Sequence, residues 1–79
     1  MNRDWVLLHL REAQEELVTI VNELESSQDY DEADFMVAMA HLYNHINTAW
    51  NSRNAELDET SIKTNFYLWR DFPNDISMG

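Results

Sequence analysis

Apolar side chains fall at Val6, Leu10, Ala13, Leu17, Ile20 and Leu24, in alternating steps of four and three. That spacing holds one stripe on a single side of an α-helix and marks a helix–helix seam. It predicts a first helix over about residues 4–26, with Asp4 placed to cap it or to favour its positive N-terminal end. Ser26-Ser27-Gln28 interrupts the pattern. Asp29 then begins a second start, with Glu32 three residues on in the spacing of a capping box. A second helix is expected over about 30–53, with Phe35, Met36, Met39, Leu42, Tyr43, Ile46, Ala49 and Trp50 on a wide apolar stripe. A short third helix is expected over about 59–71, capped by Asp58 or Thr60, with Ile62, Phe66 and Trp69 on one face. Pro73 stops it, and residues 74–79 read as a flexible tail.

The fold class is therefore all-α: an antiparallel helical hairpin with a short C-terminal helix, forming a single domain over residues 1–79. With the turn centred near residues 28 and 29, facing positions of the two long helices sum to roughly 57. Advancing about 100° per residue then gives the hairpin two unlike flanks. Leu7, Val18 and Val21 meet Met36, Tyr43 and Trp50 on one side. His9, Glu12 and Glu16 meet Asp34, His41 and His45 on the other. The apolar flank is the candidate self-association surface, because two helices cannot bury it between themselves. Partial cover by the segment Ile62 to Phe72 is expected, with the remainder buried in a homodimer that completes a helical bundle.

Length sharpens this expectation. Seventy-nine residues make a thin core, and the chain has no cysteine to add a disulfide or a thiolate metal site. An apolar fraction of 44% nevertheless marks a chain that folds. Fifteen acids against five bases leave a formal charge of −10. That charge opposes direct binding to nucleic acid or to an anionic membrane. Met1-Asn2-Arg3-Asp4-Trp5 lacks a basic stretch followed by a long apolar run, and no apolar run is long enough to span a bilayer. A cytoplasmic protein is the expectation.

Three patterns bear on chemistry. His41 and His45 are four apart, as are Glu12 and Glu16, and the register sets Glu16 opposite His41 and Glu12 opposite His45. Two His and two Glu from adjacent helices are the ligand inventory of carboxylate sites in helical bundles, so a metal-binding helical protein is one alternative. The bland reading is a solvated flank of ordinary interhelical pairs. Secondly, Glu12-Ala-Gln-Glu15 and Asp31-Glu-Ala-Asp34 resemble the paired carboxylates of all-α nucleotide pyrophosphatases. Asp31 stands where that family has Glu, and Arg11, Arg53, Lys63 and Arg70 are too scattered to hold a triphosphate. Thirdly, the acid excess suits a decoy that occupies a basic nucleic-acid-interacting protein, although the acids gather at helix starts and form no even row.

No nucleophile elbow or phosphate loop is present to support enzymatic chemistry. His9 reads as a solvated residue of the polar flank, and Asn44, Asn47, Asn51 and Asn54 as a solvated amide row. Met36 and Met39 read as core filler. Trp5 is expected to fold under the C-terminal segment. The leading expectation is a small, acidic, non-enzymatic protein-interaction module that self-associates, with no cofactor.

Overall fold

The structure, a computed structural model, describes residues 1–77. Within them the chain is all-helical: α1 (Arg3–Ser26), α2 (Glu32–Asn51), α3 (Leu57–Thr60) and α4 (Lys63–Trp69). The two long helices pack against each other, as the repeat of apolar positions requires, and α4 packs on α2. No helix among the described residues is long and apolar enough to cross a membrane.

Caps set the boundaries. Asn2, not Asp4, caps α1 by accepting the backbone N–H of Trp5 at 3.1 Å. The second helix starts two residues later than its acidic run suggests. Asp31 accepts from the backbone N–H of Asp34 at 2.9 Å, and Asp34 accepts from that of Asp31 at 3.2 Å. This reciprocal pair displaces the expected Asp29–Glu32 box. It leaves a longer loop, in which the Tyr30 N–H reaches the Ser27 carbonyl.

The expected third helix is two short ones. Thr60 Oγ1 donates to the Leu57 carbonyl and Ser61 Oγ to that of Asp58. Hydroxyls that bond local carbonyls compete with helix continuation, and Ile62 is extended before α4 begins. The tail also differs from expectation up to residue 77. Asp75 accepts from the Trp50 indole at 2.9 Å and pairs with Arg53 at 3.7 Å, and Ile76 is half-buried. Met78 and Gly79 lie outside the described residues.

The core is as thin as the length implies. Ala13, Ile20 and Leu42 form its centre, with Ala38 and Met39 packed beside them. Towards the open end of the hairpin the buried set turns polar, with His9, Asn47, Thr48 and Ser52 joining Ala49 and Ala55. Ile20 and Leu42 are the sole large aliphatic residues in the buried hydrophobic core among the described residues. The radius of gyration is 14.2 Å, against about 12 Å for a compact domain of this length.

Candidate functional site

Only half of the α1 seam faces α2. The row Ala13 and Ile20 is buried against Leu42, and Val6 is half-buried in line with it. Leu10, Leu17 and Leu24, the other half of the repeat, remain 44%, 50% and 56% exposed. At about 100° per residue they lie roughly 60° round the helix from the buried row. The hairpin has therefore packed on one edge of its apolar stripe and left the middle open.

Six residues predicted for the self-association surface border that opening. Leu7, Val18 and Val21 of α1 and Met36, Tyr43 and Trp50 of α2 are all exposed. Between the helices Leu7, Leu10, Leu17 and Ile46 line an open groove floored by Ala13 and Leu42. Phe35, Met36, Met39 and Tyr43 line a second, beside α2. Met39 packs on the core as expected of filler, whereas Met36 is exposed. Glu12, Glu16 and Glu23 lie more than about 90° round α1 from Leu17, whereas Arg11 lines the groove with Leu17, Glu15 lies beside Val18 and Arg53 stacks on Trp50. Glu25 and Glu32 mark its loop end.

The C-terminal segment takes a different place from the one expected. Instead of covering the apolar flank, α4 lies across the open end of the hairpin on the histidine side. Phe66 and Trp69 sit 6.0 and 6.2 Å from Trp5, centroid to centroid, so Trp5 does fold under this segment. Trp5 is fixed from below by donating its indole N–H to Ser52 Oγ at 2.7 Å. The amide row is no solvated stripe either. Asn47 donates to the Arg70 carbonyl at 2.9 Å, and Asn51 reaches the carbonyls of Trp69 and Asp71, both at 2.7 Å. These carbonyls end α4 and have no partner within the helix, so α2 supplies its C-terminal cap. The chain contacts the apolar flank at Trp50, through Asp75.

The polar flank does not assemble the anticipated pairs. His45 meets His9, with Nδ1 atoms 3.3 Å apart, and not Glu12. His41 is exposed, and no salt bridge joins it to Glu16 among the described residues. No group of three or more His, Asp or Glu side chains among the described residues is placed to hold a metal ion. Asp31 and Asp34 are occupied with capping α2, which accounts for them without a nucleotide.

His9, which its sequence position assigns to solvent, is buried, with its ring 4.5 Å from Trp5 in edge contact. Its Nε2 is enclosed without a hydrogen-bond partner. Burial, above all, lowers its pKa from the ordinary 6.5; neighbouring His45 adds to this and Glu12 opposes it. One signal in the sequence marks this cluster: Trp5 and His9 are four apart, as are His41 and His45, so each pair shares one helix face. No protein-family model, characterised protein or solved structure matches this chain.

Proposed function

We propose that this chain is a helical protein-interaction module that works by self-association, two copies burying the flank of Leu7, Val18, Val21, Met36, Tyr43 and Trp50 in a two-fold helical bundle. The observation behind this reading is the stranded half of the α1 seam, Leu10, Leu17 and Leu24. A heptad stripe of that length is a surface for another helix.

Area supports a second copy as the occupant. The chain exposes 6101 Å², whereas a folded monomer of 9.4 kDa is expected to expose about 5,000 Å². The excess, roughly 1,100 Å², is on the scale of one side of a standard interface, about 800 Å² per partner. Charge points the same way. The total of −10 would resist pairing if the acids lined the contact, but Glu12, Glu16 and Glu23 turn away from Leu17. A basic partner would be drawn to those acids and away from this flank. A straight two-helix stripe is also self-complementary under a two-fold axis, and the product is a four-helix core.

Sedimentation equilibrium over a range of loading concentrations tests the reading. A species of twice 9.4 kDa, dissociated by Val18→Glu, is the expected result. A wild-type chain that stays monomeric at every concentration would overturn it.

A further inference from the structure

The side opposite the association flank carries a contact with a different use. His9 of α1 and His45 of α2 face each other through Nδ1, 3.3 Å apart with ring centroids at 5.5 Å. One of the two Nδ1 atoms must carry the hydrogen. His9 Nε2 is enclosed without a partner, and a buried N–H left unpaired costs more than a buried lone pair. The favoured arrangement is therefore His9 Nδ1–H donating to His45 Nδ1, with the half-buried His45 turning its own Nε2–H outward. This arrangement needs both rings neutral. Protonating His45 puts a second N–H against the first, and protonating His9 creates a charged donor at the enclosed Nε2.

His9 also has no free side to turn to. Its ring meets the Trp5 indole in edge contact at 4.5 Å, and Trp5 in turn bears Phe66 and Trp69 of α4. The ring thus stands one residue below the seat of the C-terminal segment. We propose that the His9–His45 contact is a proton-operated latch: it keeps α4 docked while both imidazoles are uncharged, and acid opens it and frees the segment from Trp5. The proton comes from solvent through His45, which is the less buried ring.

The surrounding charges leave this intact. Glu12 of α1 is the acid that acts on His9, and it favours the charged form, but burial and His45 outweigh it. His41, one turn from His45 on α2, is exposed. From α4 the groups presented to Trp5 are the uncharged rings of Phe66 and Trp69. Two imidazoles brought together here make the site responsive in the range where histidine titrates.

NMR between about pH 8 and pH 5 tests the latch, within the range that spares most carboxylates. The readouts are the imidazole titrations, the Trp5 indole N–H, and the exchange protection of the α4 amides corrected for intrinsic rate. His9 should titrate below 6.5, and protection of Phe66 to Arg70 should fall about tenfold or more over the same interval. His45→Gln, which keeps an acceptor for His9 but cannot take the proton, should hold α4 protected across the range. His41→Gln should respond as the wild type does. The proposal is overturned if His9 titrates while α4 stays protected, or if α4 is released equally in His45→Gln. None of these readouts depends on whether the opposite flank self-associates.

Discussion

Trp5 and Ser52, 47 positions apart in the chain, join the first turn of α1 to the end of α2 through a 2.7 Å hydrogen bond from the indole. The Ser52 hydroxyl passes its own hydrogen to the Thr48 carbonyl, and the side chain is fully buried. A larger side chain would push Trp5 outward, and an alanine would leave its N–H without an acceptor. Ser52→Ala is expected to cost about 1–3 kcal/mol, the penalty for a buried donor left unpaired. Urea unfolding monitored by tryptophan emission measures it, and a midpoint unchanged from wild type would remove this bond from the account.

The amides of α2 yield a second expectation. Asn51 satisfies two carbonyls at the end of α4 and Asn47 one, while Asn44 and Asn54 have no such role among the described residues. Asn51→Ala should lower the exchange protection of α4 by about 1 kcal/mol or more, on the scale of net hydrogen-bond contributions. Asn54→Ala should leave it within about 0.5 kcal/mol, as for an ordinary surface change. Equal loss in both variants would mean that α4 is held by its aromatic rings alone.

These two sites mark the boundary of what the sequence makes legible. The apolar stripes of α1 and α2 predict both long helices, the short loop between them predicts antiparallel pairing, and the Trp5–Ser52 bond meets the expected register. Periodicity reports which side chains are apolar, however, and not which edge of a wide stripe a neighbour will take. That is why His9 and Asn47, off the predicted centre, are buried while Leu17, on it, is open. Cap choice is similarly underdetermined. Asp29 and Asp31 are both competent caps, and a two-residue shift turns on loop geometry. The division of the third helix depends on hydroxyl-to-carbonyl bonds at Thr60 and Ser61 that compete on nearly equal terms with helix continuation.

Acid should weaken the fold in two stages of distinct origin. Burial and His45 hold the His9 pKa below 6.5, so the unfolded chain binds that proton more readily than the folded one. The stability this neutral ring represents is complete above 6.5 and is lost as pH falls from there through the lowered folded value. Asp75 acts later. The Trp50 indole hydrogen bond, chiefly, lowers its pKa from 3.8. Its contribution is therefore present above 3.8 and disappears as pH falls through the folded value. Thermal melts across this range should show the first stage abolished in His9→Gln and the second in Asp75→Asn. A single acid transition untouched by either change would contradict both assignments.

The sharpest discrimination available is between two leucines of the same helix. Leu17 is 50% exposed and Leu8 is 49%, so neither composition nor burial tells them apart. Nine residues separate them, which at about 100° per residue places them on opposite sides of α1. Leu17 lies in the open groove with Leu10 and Ile46, whereas Leu8 faces away from it. If exposed apolar surface as such drove association, glutamate at either position would weaken it equally. If the flank is the contact, Leu17→Glu places a carboxylate among Leu7, Leu10 and Ile46 in a desolvated interface, which is unfavourable even with Arg11 in the same lining. Association should weaken by at least about thirty-fold, the equivalent of roughly 2 kcal/mol, as for a central interface residue. Leu8→Glu should associate as wild type does. Circular dichroism on both variants separates lost association from lost folding, since both positions are half-exposed in the monomer. Equal dissociation by sedimentation, with both variants still helical, would refute the placement of the interface on this flank.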